Sequence, residues 1–145
     1  MKNYIKYIAL FSIPINFIWE MVQMPLYKDM PWDLYTALFC LAASVGDAAM
    51  ILIIFFAVIL LVKNKNWLLN LTLQNIFLTL IVGFIIALLV EQYALNNDMW
   101  RYGEIMPRIP LWDIGISPIL QMLILPLVIF RLTKYEMKKK SRSKS

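Results

Sequence analysis

Long apolar stretches, separated by short polar segments, divide this chain into four runs at about 4–23, 36–62, 67–94 and 114–132. Each run reaches or exceeds the roughly 20 residues that a helix needs to cross a hydrocarbon core about 30 Å thick. The runs are continuous rather than alternating, which favours helices over barrel strands. The pattern therefore predicts an all-α, integral membrane four-helix bundle. Lys2 and Lys6 ahead of the first run resemble the start of a signal peptide. No small-residue cleavage site follows, and Trp19, Glu20, Met21 and Gln23 come instead, so the run is read as a retained first span.

Within the runs the polar residues recur at helical spacing. Asn16, Glu20 and Gln23 share one face of the first helix. Thr36, Cys40, Ser44 and Asp47 do so on the second, Asn75, Thr79, Gly83, Ala87 and Glu91 on the third, and Ser117 and Gln121 on the fourth. Small and polar stripes are the faces by which membrane helices approach one another. Pointed inward, they would build a polar cleft.

Three acids lie inside the runs, although a charge at the bilayer centre costs about 2.5–3.5 kcal/mol even on lenient scales. Counting about 1.5 Å per residue places Glu20 about 21 Å from Lys6, Asp47 about 24 Å from Lys63 and Glu91 about 36 Å from Trp67. All three fall toward one side, with Glu91 nearest the surface. For Glu20 and Glu91 the plainer alternative is solvation at the interface through a long side chain. For Asp47 it is packing through hydrogen bonds to Asn16, Gln121 or Thr79, at about 0.6 kcal/mol each.

Charge gives a direction to the bundle. Eleven lysines and arginines fall on the side of the two termini and the connection between the second and third runs. Three, Lys28, Arg101 and Arg108, fall on the other. By the positive-inside rule both termini are expected to be cytoplasmic, in a cytoplasmic (inner) membrane. Trp32, Trp67, Trp100 and Trp112 stand near the ends of the runs, as interfacial anchors do. The net charge of +5 arises from the basic tail at 134–145, expected to be cytoplasmic and disordered. Such a tail suits anionic lipid and not nucleic acid.

Composition narrows the chemistry. Apolar residues make up 61% and charged ones 16%, against about 45–50% and 25% in soluble domains. One cysteine, Cys40, leaves no internal disulfide, and there is no histidine. The commonest metal ligand and general base are thus missing. No phosphate-binding glycine loop is present, and neither a metal nor a cofactor is expected.

The long connection 96–113 is rich in Trp100, Tyr102, Met106 and prolines, and is expected to fold back over the bundle. Its Arg101 and Arg108 are candidate partners for the acids. The candidate catalytic set is Glu20, Asp47 and Glu91. The candidate substrate contacts are Asn16, Trp19, Gln23, Trp100, Arg101, Tyr102, Arg108 and Gln121. Carboxyls in different apolar surroundings can divide into an acid and a base. Such a pair could protonate an alkene or epoxide and remove a proton elsewhere, with Phe17, Trp19, Tyr93 or Trp100 facing the cation.

The segments Asn16–Met21, Gly46-Asp47, Val90-Glu91, Trp100–Tyr102 with Met106-Pro107, and Gly115–Pro118 with Gln121 resemble a pattern in small bacterial four-span membrane proteins. That resemblance carries no activity. Asn16-x-x-Trp19-Glu20 is also similar to an early segment of membrane-bound terpene cyclases of fungal meroterpenoid pathways, and more distantly to lycopene cyclase-type carotenoid proteins. The resemblance implies that Glu20 protonates an epoxide. Those cyclases have more spans than this chain, and their second acid has no matched position here.

Three function classes follow. One is a cofactor-independent enzyme acting on a hydrophobic isoprenoid or lipid substrate. The second is a small proton- or cation-coupled transporter subunit. The third is a scaffold or accessory subunit, with a homodimer or a larger membrane complex as its setting.

Overall fold

In the computed structural model, residues 1–142 are described. Four long helices are present: α1 (Lys2–Gln23), α2 (Leu34–Val62), α3 (Leu73–Asn96) and α4 (Ile116–Arg142). All four are long and apolar enough to cross a membrane. Their boundaries follow local chemistry. Asp33 starts α2 by accepting the Thr36 N–H at 2.8 Å, and Thr72 starts α3 by accepting the Asn75 N–H at 3.2 Å, each satisfying an otherwise orphaned donor. Lys63 ends α2 in the left-handed conformation.

The helices run up and down. At one end the Tyr4 hydroxyl of α1 donates to Asn66 in the α2–α3 connection, at 3.3 Å. At the other, the α1–α2 and α3–α4 connections are joined. Lys28 N–H donates to the Arg101 carbonyl at 2.9 Å, Gly103 N–H donates to the Leu26 carbonyl at 2.8 Å, and Tyr27 pairs with Tyr102. The long connection folds back as expected. It also forms a two-residue antiparallel ladder, β1 (Arg108–Ile109) with β2 (Ile114–Gly115), which the apolar pattern did not predict. The two ends are called here the terminal end and the loop end.

In the terminal half the core is solid. Ile8, Ile51, Ile54, Phe55, Val58, Trp67 and Phe130 are completely buried. Trp67 stands edge-on to Phe130 at 5.4 Å between ring centres, and Phe55 lies 5.9 Å from Trp67. Lateral packing is uneven: α1 lies against α2 and α4, and α3 against α4, while α2 and α3 meet more sparsely.

Three boundaries differ from the sequence reading. The third run was expected to be helical from 67, yet residues Trp67–Leu69 form a separate 3-10 turn and α3 begins at Leu73. Trp67 is accordingly no interfacial anchor but part of the core, because the turn swings its ring beneath the bundle. The fourth run, placed at 114, begins its helix at Ile116 because Ile114 and Gly115 belong to the ladder. The tail expected to be disordered over 134–145 continues α4 as far as Arg142. Residues 143–145 lie outside the described part.

Candidate functional site in the loop-end half of the bundle

All four polar stripes turn inward. Asn16 and Gln23 on α1, Thr36, Cys40, Ser44 and Asp47 on α2, Asn75, Thr79, Gly83, Ala87 and Glu91 on α3, and Gln121 on α4 are buried. The hydroxyls of Ser44 and Thr79 turn back on their own helices, donating to the carbonyls four residues earlier. The longer side chains are the ones that reach across the bundle.

Gln121 is the hub. Its Nε2 lies 2.8 Å from Asp47 Oδ2, 2.9 Å from Glu20 Oε1 and 3.0 Å from Asn16 Oδ1. An amide nitrogen has only two hydrogens for these three acceptors. Gln23 Nε2 adds donation to Glu20 Oε1 at 2.8 Å and to Gln121 Oε1 at 3.2 Å. Gln23 Oε1 in turn accepts from Ser117 Oγ at 2.7 Å and from Trp19 Nε1 at 3.2 Å. Two acids on neighbouring helices are thus bound to one amide on a third.

Glu91 stands across from this network with partners of its own. Its Oε2 accepts the Tyr102 hydroxyl and, at 3.3 Å, Trp100 Nε1. Burial and the nearby Glu91 carboxylate push the Tyr102 phenol up from its ordinary value, so it keeps its proton and remains a donor. Burial has the same effect on Tyr27, reinforced by Glu91 and Glu20.

Between the two groups lies a partly open cavity of about 240 Å³, lined by all three acids. Gln23, Trp100 and Gln121 share the wall, and Ala43, Gly46, Ala87, Val90, Pro118 and five methionines supply most of the rest. Gly46 lines the cavity yet is exposed, and nothing lies within 4 Å of the place a Cβ would take there. Phe39, also in the wall, is exposed. Part of the wall is therefore open to the outside along α2, whose packing against α3 is sparse. A more polar cleft bearing Lys28, Asp29, Asp98 and Arg101 adjoins it at the loop end, with Met30, Phe39, Met99 and Trp100 in both walls.

The shorter α3 also corrects the depth of Glu91. Counted from Leu73 rather than Trp67, Glu91 lies about 27 Å along its helix. It lines the same cavity as the other two acids.

Of the residues expected at the site, Glu20, Gln23, Asp47, Glu91, Trp100 and Gln121 line the cavity. Asn16, Trp19 and Tyr102 stand one hydrogen bond behind it. Arg101 and Arg108 do not pair with the buried acids. Arg101 bonds Asp98 at 3.2 Å and Arg108 bonds Asp113 at 3.1 Å. Both aspartates hold left-handed turn conformations, so each arginine braces a local turn and avoids the desolvation that reaching inward would cost. Arg108 also sits over the Tyr102 ring, 5.4 Å from its centre. Tyr93, expected to offer an aromatic face, is exposed on the outside of α3.

Sequence reasoning missed Tyr27, Phe39 and the methionines. Met24 and Met50 were findable, four residues after Glu20 and three after Asp47 on the same helical faces. Tyr27, Met30 and Met99 come from connections, where no periodicity marks them. Among the described residues no group of three or more His, Cys, Asp or Glu is arranged to hold a metal ion. No family model, curated protein or solved structure matches this chain.

Proposed function

We propose that the chain is an integral membrane protein with cytoplasmic termini that takes a hydrophobic small molecule into this cavity and acts on it by carboxylate acid–base chemistry. The single observation that carries the reading is the pairing of Glu20 and Asp47 on one amide, in the wall of a mostly apolar cavity.

The apolar exterior supports the membrane setting. Val22, Leu60, Leu73 and Leu89 are largely exposed on outward helix faces, where contact with water is unfavourable. The distribution of lysine and arginine supports the orientation. The cavity then opens into the lipid-facing side of the bundle. Its volume is below the roughly 300–1,000 Å³ of pockets that enclose drug-sized ligands. It suits one end of a longer apolar molecule whose remainder lies between α2 and α3.

Two carboxyl groups this close, with no cation among their hydrogen-bond partners, are best accommodated by one proton shared between them. The protonated member can deliver that proton to an alkene carbon or an epoxide oxygen. The other can take a proton from a neighbouring carbon, leaving a double bond. The site regains its starting state, with no net change in protons and no redox partner. Isoprenoids and unsaturated lipids are the substrate class that offers such groups within a bilayer.

The solid terminal half disfavours a conduit. Ile51, Ile54, Phe55, Val58 and Trp67 close the bundle beneath the acids, so a transported ion would meet a plug of large apolar side chains. An unfilled loop-end half disfavours a purely structural bundle.

The test compares lipid extracts from a strain lacking the protein with strains expressing Glu20→Gln or Asp47→Asn at normal levels. Both substituted strains are expected to show the extract of the deletion strain. A wild-type extract from either, or a deletion that changes no lipid, contradicts the assignment.

A further inference from the structure

Resting on that acid–base reading, we infer that the occupant of the cavity is a hydrophobic cation: an apolar body bearing a protonated amine or quaternary ammonium group. The inference comes from what the cavity wall lacks. Three carboxyl groups line it, and among the described residues no lysine or arginine does. The nearest basic side chains are engaged elsewhere, Arg101 with Asp98 and Arg108 with Asp113 and the Tyr102 ring.

Glu20 and Asp47 bond to each other, and the remaining donors use one oxygen of each acid. Every nitrogen or hydroxyl donor to these acids reaches Glu20 Oε1, Asp47 Oδ2 or Glu91 Oε2. The second oxygen of each acid receives no such donor. Asp47 is only 7% exposed and Glu91 only 5%, so the cavity is what these oxygens have to face. An ammonium group between the Glu20–Asp47 pair and Glu91 would be attracted to these carboxyls, whereas an anion would meet like charge.

The rest of the wall excludes a bare metal ion and fits an organic cation. Calcium or magnesium takes six or more oxygen ligands, and most of this wall is hydrocarbon and thioether. Tyr27 and Trp100 are aromatic members of the wall, and aromatic rings attract ammonium groups. Met24, Met50 and Met122 provide flexible, polarisable walls for an apolar body of variable shape. The gap at Gly46 leaves room for a chain to extend outward.

Three probes that share an octyl chain and differ in head group test this on full-length protein in a neutral maltoside detergent: octyltrimethylammonium, octanol and octyl sulfate. Binding is measured by calorimetry, with the signal from empty micelles subtracted. The ammonium is expected to bind more tightly than the alcohol by at least about tenfold, or 1.4 kcal/mol, with the sulfate weakest. The isosteric double variant Glu20→Gln/Asp47→Asn is expected to lose that preference while keeping its thermal transition. Glu91→Gln is measured separately, so that one poorly folded variant does not decide the matter. Equal binding of ammonium and alcohol overturns the cation inference and leaves the acid–base cavity standing. Retention of the preference in both the double variant and Glu91→Gln overturns it as well. Failure of all three probes to bind removes the ligand cavity itself.

Discussion

Replacing Gln121 with leucine is expected to destabilise the protein by about 3 kcal/mol, although the two side chains are similar in volume. An ordinary hydrogen bond between membrane helices averages only about 0.6 kcal/mol. Gln121 is not an ordinary partner. Its one nitrogen serves Asp47, Glu20 and Asn16 together, and its Oε1 accepts from Gln23. Removing one side of a buried charged contact typically costs about 3–5 kcal/mol, because the other side is left uncompensated. The lower end of that range applies here, since a stranded carboxylate can take up a proton. For a chain of this size the loss should lower the thermal midpoint in mild detergent by on the order of 10 °C. The double variant Gln121→Leu/Asp47→Leu should recover part of the loss, because it removes the stranded group. A single variant as stable as wild type would show that the amide does not hold the acids together.

Gly83→Val is expected to cost about 3 kcal/mol or more, at or beyond the top of the usual range for overpacking. A Cβ on Gly83 would collide with the backbone carbonyl oxygen of Met122 and stand 3.6 Å from Ile54 Cδ1. A flexible side chain could swing aside, but a helix backbone cannot, so α3 and α4 would have to separate. That would displace both Gln121, next to Met122, and Glu91, two turns along α3. Gly46→Ala is the control: with nothing within 4 Å of its added Cβ, it should leave the thermal midpoint unchanged or slightly raised. Equal effects of the two substitutions would contradict the close approach of α3 and α4.

The architecture was legible because a single physical effect governs it, the placement of apolar residues against the length a span requires. The inward faces were legible for a related reason. Small and polar residues at helical spacing have few other uses in a helix whose outer face is apolar. The boundaries were less so. Hydropathy runs from Trp67 straight into α3, and only the cap at Thr72 separates the buried turn from the helix. That error overcounted the length of helix that precedes Glu91. Charge pairing misled in a different way. Formal charge suggested Arg101 and Arg108 for the acids, but short-range pairing with Asp98 and Asp113 wins because it needs no desolvation. Uncharged Gln121, Gln23 and Tyr102 do the inward bonding instead. The inward stripes predicted a polar cleft; the cavity is instead walled mostly by apolar and methionine side chains, several of them from connections that no periodicity marks.

Photolabelling in native membranes with a small apolar diazirine, with the labelled residues located by mass spectrometry, tests most directly whether the acids share a chamber open to lipid. The account predicts label on interior Cys40, Met50 and Met99 as well as on outward-facing Leu60 and Leu89. It also predicts that Gly46→Trp, which plugs the opening, removes the interior label and spares the exterior. Label confined to the outward-facing residues in the wild-type protein would contradict it.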